Sequence, residues 1–154
     1  VLVRHFKRPV LKGIPLTQHG DYRIESHVPG IDDYLRLRQA SGLSPFTREA
    51  AEKGLPNSIF GVCLMSGDTV IGMGRIIGDG GCFFQVTDIA IMPEHQGRGL
   101  GKMIMAALTD HIENQLPKTA YVSLIADGPA NHLYRQFGFV ETAPRSVGMA
   151  RNVA

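Results

Sequence analysis

Three runs of strand-forming residues crowd into the stretch from Ser58 to Met92. They are Ser58–Met65, Thr69–Ile77 and Cys82–Met92, separated only by Ser66-Gly67-Asp68 and Gly78-Asp79-Gly80-Gly81. A parallel crossover needs a dozen or more residues between strands, so turns this short admit only antiparallel neighbours. Pro93-Glu94 ends the third run. The most periodic segment follows, with Leu100, Met103, Ile104, Ala107, Leu108, His111 and Ile112 at helical spacing. That spacing predicts an amphipathic helix from about Gly99 to Gln115, its apolar stripe laid on the sheet.

The flanking segments fill out the order. Upstream, Tyr22–Val28 alternates as a first strand and is broken by Pro29-Gly30. Ile31, Tyr34, Leu35 and Arg38 then form one face of a short helix. Thr47 reads as the N-cap of a second helix that stops at Gly54. Downstream of Pro117, Ala120–Ile125 is a compact apolar strand, and Pro129–Phe137 is a helix with Gly138 as its stop. Phe139–Thr142 and Val147–Arg151 read as two closing strands. The predicted order is β-α-α-β-β-β-α-β-α-β-β, an α/β fold whose mixed, mainly antiparallel central sheet is flanked by helices. Residues 1–20 read as an N-terminal arm and 21–154 as a single domain.

Composition excludes several classes. Sixteen basic and fourteen acidic residues leave a formal charge of +2, which is no nucleic-acid or membrane footprint. Cys63 and Cys82 sit inside apolar strands, with no CxxC, no HExxH and no Cys/His cluster, so neither a disulfide framework nor a metal is expected. No apolar run reaches the ~18 residues of a spanning helix. Val1–Val3 before Arg4 is too short for a signal segment, and a cytoplasmic protein is expected.

The 18 glycines are in excess, and their placement is informative. Gly67, Gly78, Gly80 and Gly81 fall in turns, whereas Gly97, Gly99 and Gly101 lie between the third strand and the long helix. Glycines there let backbone approach a ligand closely, and a helix N-terminus offers free N–H groups to an anion. Arg98 and Lys102 add charge at the rim. A Walker loop fails at Gln96 and Met103, and a dinucleotide GxGxxG fails at Lys102. The pattern QxxGxG fits at Gln96, Gly99 and Gly101.

In that context the loop resembles the acyl-coenzyme A pyrophosphate loop of the GCN5-related N-acetyltransferase (GNAT) superfamily. Leu133-Tyr134-Arg135-Gln136-Phe137-Gly138-Phe139 is similar to the family's late helix ending in Tyr-x-x-x-Gly-Phe. The resemblance spans roughly residues 21–151 and implies the acyl-CoA N-acyltransferase fold, with acetyl-CoA as co-substrate and no metal. It implies acetyl transfer to a primary amine, in this compact chain that of a small molecule. A protein N-terminus or lysine is the rival acceptor, and a non-catalytic acyl-CoA-binding regulatory domain the rival class.

By the same resemblance, Gln96, Gly97, Arg98, Gly99, Leu100, Gly101 and Lys102 hold the pyrophosphate. Backbone groups of Ile89, Ala90 and Ile91 meet the pantetheine and thioester, and Tyr134 is the acid for the leaving thiolate. The pantetheine-contacting Asn of many relatives is displaced here: Asp127 and Gly128 occupy its place, and Asn131 lies nearer the tyrosine. Gln85 stands where a number of relatives carry a glutamate base. Asp88 is the ionisable alternative on that strand, with His132 and Glu25 as further candidates. Simple alternation sets 85, 87 and 89 on one face and 86, 88 and 90 on the other, so Asp88 reaches the amine only if a bulge re-aims it. Asp127 reads equally as a helix cap, and Asp79, Asp88 and Asp127 as attractors of a cationic amine. An exposed edge strand offers a surface for a homodimer.

Overall fold

The computed structural model describes residues 18–153. Six strands lie in one sheet in chain order: β1 (Gln18–His19), β2 (Tyr22–Glu25), β3 (Phe60–Ser66), β4 (Thr69–Gly78), β5 (Phe83–Ile91) and β6 (Tyr121–Ser123). All neighbours are antiparallel except β5 and β6, which run parallel. The meander β3-β4-β5 is the one the short turns required, and Gly67 takes a left-handed φ of 57° in the first of them.

Helices cover both faces. Helices α1 (Ile31–Ser41) and α2 (Arg48–Gly54) form one layer, in which Tyr34, Leu37, Ala51 and Leu55 pack on Cys63, Met65, Met73 and Ala90. Thr47 caps α2 as expected, its Oγ1 accepting from the Ala50 N–H at 3.1 Å. Helix α3 (Leu100–Gln115) makes the other layer, setting Leu100, Met103, Ile104, Met105 and Leu108 on Val62, Leu64, Ile76, Phe84 and Val86. Burying a side chain such as Leu37 or Ile104 contributes roughly 1.5–3 kcal/mol. Close approach of α3 depends on Gly74, where a Cβ would lie 2.7 Å from Ile104 Cγ2.

The third strand carries the irregularity that shapes the molecule. Met73 pairs with Ala90 but Arg75 pairs with Thr87, so Gly74 faces two residues, Asp88 and Ile89. Asp88 has φ 57° and is the extra residue of a β-bulge. Before the bulge Phe84 and Val86 face α3, and after it Ala90 faces α1. Asp88 turns to the α1 side together with Thr87, whose cross-strand partner Arg75 points there. Simple alternation along this strand is thereby corrected.

Three other expectations change. Gln18–His19, read as part of an arm, pair with Tyr22–Arg23, and residues 1–17 of that arm lie outside the described residues. The predicted helix over 129–137 is a 3-10 turn, Gly128–Ala130, running into the short α4 (Asn131–Arg135). The closing strands at Phe139–Thr142 and Val147–Arg151 do not form among the described residues. Pro144 and a turn closed by Ser146 N–H to the Thr142 carbonyl at 3.0 Å interrupt them. Val140, Val147 and Met149 are exposed, so their alternation has no face to bury.

Candidate active site

Parallel pairing of β5 with β6 ends at Gln85 and Ser123. Beyond that point β5 runs on to Ile91 while the chain after Ser123 turns away toward α4. The strands part, and the edge of β5 from Thr87 to Ile91 fronts a gap with α4 as its other wall. The expected partners Ile89, Ala90 and Ile91 lie along this stretch, though the Ala90 side chain is buried under α1.

At one end of the gap is the glycine loop. Gly97 and Gly99 both have φ 75°, a conformation that costs an L side chain roughly 1–2 kcal/mol. The N–H groups from Gly97 through Gly101 make no hydrogen bond among the described residues. Gly97, Gly99, Leu100, Gly101 and Lys102 line a cavity of about 250 Å³ together with Ile91, His95, Gln96, Leu133 and Gln136. Two side chains fix the loop: Gln96 Nε2 donates to the Ile91 carbonyl at 2.9 Å, and His95 Nδ1 lies 2.8 Å from the Tyr22 hydroxyl. Arg98 reaches back to the Glu94 carbonyl at 3.5 Å. Free N–H groups at a helix start with Lys102 beside them fit a pyrophosphate.

At the other end a cleft of about 400 Å³ is lined by Arg38, Gly42, Leu43, Ser44 and Gln85–Ile89 on one side, and by Leu124, Ile125, Asp127, Ala130 and Tyr134 on the other. The Tyr134 hydroxyl has no hydrogen-bond partner among the described residues. Burial, and after it the Asp127 charge, raise its phenol above the ordinary range. Asp127 stands at the N-cap position of the 3-10 turn but makes no capping bond with its side chain. The cap reading therefore does not hold, and the carboxylate is open to the cleft.

Asp88 is held differently. Its side chain is 4% exposed, with Oδ1 bonded by Arg38 Nη1 and Oδ2 by Tyr34 Oη at 2.9 Å and Arg75 Nε at 2.7 Å. Burial first, then the Asp88 charge, raise the Tyr34 phenol as well. Sequence reading missed Tyr34, Arg38 and Arg75 as a group, although each is a polar residue at an inward position of an apolar pattern. Asn131 gives Nδ2 to Glu141 Oε1 at 3.2 Å, while its Oδ1 is occluded with no partner among the described residues. His132 is exposed on α4, and Glu25, on β2, bonds Arg23 and His27. Neither lines the cleft.

A family model described as an acetyltransferase (GNAT) domain matches residues 39–149. The chain belongs to the GNAT acetyltransferase family. A structure from meticillin-resistant Staphylococcus aureus, a protein of unknown function described as a probable acetyltransferase, is 48% identical. It superposes with a TM-score of 0.81, over 86% of this chain and 99% of that one. A GNAT-family acetyltransferase from Streptococcus pneumoniae is 25% identical, with a TM-score of 0.70 over 86% of this chain and 98% of its own. An uncharacterised N-acetyltransferase of Gracilaria tenuistipitata var. liui is 31% identical over 80 residues, 52% of this chain and 43% of that relative. The match thus spans less than half that relative's length. The loop and the Tyr134 helix of this chain both fall within the span of the GNAT model.

Proposed function

We propose that this chain transfers the acetyl group of acetyl-CoA directly to the primary amine of a small molecule. The observation that carries the reading is the parting of β5 from β6, which joins the Gly97–Lys102 loop to the Tyr134 cleft along one strand edge. Acetyl-CoA is the donor substrate. Its pyrophosphate would rest on the free N–H groups of the loop and its thioester near Thr87–Ile89 and Tyr134. Binding at the loop, remote from the chemistry, then holds the reacting carbon in position. A cleft of about 400 Å³ is within the usual ~300–1,000 Å³ of small-molecule sites, which supports a small acceptor.

In the reaction the amine nitrogen attacks the thioester carbonyl, a C–N bond forms, the C–S bond breaks, and the thiolate takes a proton. A backbone N–H of the unpaired β5 edge suits the developing oxyanion. Tyr134, its hydroxyl free and its phenol kept protonated by burial, is the proton donor to sulfur. For the amine's proton we assign Asp127, directly or through water, in preference to Asp88. Asp88 has both oxygens engaged by buried partners and serves to fix the bulge and α1.

Thiol release from acetyl-CoA across a panel of amines tests the proposal. Release that depends on an added amine, and that falls about 100-fold in Tyr134→Phe, is the expected result. No release with any polyamine, arylalkylamine, amino sugar, amino acid or peptide would refute it.

A further inference from the structure

The cleft beside Tyr134 contains an unbalanced buried charge. Two guanidiniums, Arg38 and Arg75, converge on the single carboxylate of Asp88. Every nitrogen of Arg75 has a partner: Nε and Nη2 each lie 2.7 Å from Asp88 Oδ2, and Nη1 lies 2.8 Å from Ser58 Oγ. Arg38 differs. Its Nε donates to the Ser44 carbonyl at 2.7 Å and its Nη1 to Asp88 Oδ1, while Nη2 has no partner among the described residues. Nor is Nη2 among the occluded unpaired atoms, so it keeps contact with solvent, and Arg38 lines the cleft. The Arg38 side chain is only 8% exposed.

A guanidinium does not lose its proton in a protein, and a buried charge is normally fully paired. One surplus positive charge and an unpartnered Nη2 therefore ask for an anion from outside. The shape of the site narrows the choice. The Arg38 guanidinium carbon stands over the Phe46 ring at 4.3 Å and over the Tyr34 ring at 5.7 Å from their centroids. With Nε and Nη1 already donating, Nη2 is the end left for an anion, and a carboxylate oxygen is a strong acceptor for it. Asp127, across the same cleft, adds one negative charge. Arg75 lies behind the lining, and the two guanidiniums against Asp88 leave one net positive charge on the Arg38 wall, while Asp127 puts a negative charge on the opposite wall.

We propose that the acceptor carries a carboxylate beside its amine, as a free amino acid does. The carboxylate takes Arg38 Nη2, and the amine lies between Asp127 and Tyr134. This inference rests on the acetyl-transfer reading given above and narrows its substrate class.

The test compares L-amino acids with their primary carboxamides, which keep the amine and side chain but lose the charge. The full chain is assayed with acetyl-CoA. For the best acceptor, kcat/KM of the acid is expected to exceed that of its amide by about 10- to 100-fold, mostly through KM, as loss of a charge-assisted hydrogen bond does. In Arg38→Lys, which keeps the charge but not the fork, that ratio falls toward one, with circular dichroism reporting the fold. Amides used as well as acids by the unaltered protein would overturn the inference while leaving acetyl transfer standing. If Arg38→Lys does not fold, the ratio in the unaltered protein decides alone. If no amine is acetylated, calorimetric titration with the same acids and amides decides: binding of acids only supports the carboxylate seat, and any other outcome overturns it.

Discussion

Asp88 concentrates several costs in one residue: a left-handed backbone, a buried charge and three buried partners. Asp tolerates φ of 57° better than most side chains, and two guanidiniums compensate its charge. Removing the carboxylate leaves Arg38 and Arg75 buried side by side with nothing between them. Asp88→Ala is therefore expected to destabilise the fold by about 3–5 kcal/mol, read from urea unfolding midpoints. An unchanged midpoint would mean that the cluster is not a support of the bulge. Cys63 shows a simpler effect. It is fully buried beneath α1, its sulfur 3.5 Å from the His27 carbonyl, and burial pushes its thiol from near 9 up to about 12. The folded state then holds a proton that the unfolded chain releases. Its contribution is fully present below pH ~9 and is lost as pH rises toward ~12, at up to ~1.4 kcal/mol per pH unit. Thermal melts should show that alkaline loss, and Cys63→Ala should flatten it.

At the scale of elements, the loop between β5 and α3 and the bulge within β5 work together. The bulge turns Thr87 and Asp88 toward α1, and the end of β6 pairing opens the strand edge that leads to the loop. In Gly99→Ala a methyl group meets open space, so the strain of φ 75° is the whole perturbation. Calorimetric titration should show about tenfold weaker binding of CoA, as the loop relaxes out of this conformation, and a melting temperature lowered by a few degrees. Affinity equal to that of the unaltered protein would remove the loop from the coenzyme site. The meander, the α2 cap at Thr47, the long helix and the glycine loop were legible because each rests on local turn chemistry or on one periodicity. The closing strands were not, since four or five alternating residues predict a strand only if a face exists for them to cover. The bulge entered only as a condition on Asp88, because the mispairing opposite Gly74 depends on two strands at once. Asp127 looked like a cap in sequence, and only its missing cap bond frees it for another role.

At the scale of the molecule, the glycine loop and the Tyr134 cleft lie along the stretch of β5 that β6 leaves unpaired, with helices α1 and α2 on one face of the sheet and α3 on the other. In the proposed reaction the cavity at the glycine loop would hold the donor, and the cleft of Arg38, Asp127 and Tyr134 would receive the acceptor. Among the described residues no helix is long and apolar enough to cross a membrane. The GNAT family and the fold are common to this chain and its relatives, whereas the acceptor depends on side chains that α1, β5 and α4 bring together here. The most direct measurement follows the acetyl group itself. Acetyl-CoA with an isotopically labelled acetyl group is mixed with the protein and an amine, and product nitrogen and free thiol are measured together. Labelled N-acetyl amine and CoA thiol are expected in equal amounts, both strongly reduced by Tyr134→Phe. Bound acetyl-CoA that keeps its label in the presence of every amine tried would contradict the proposed transfer.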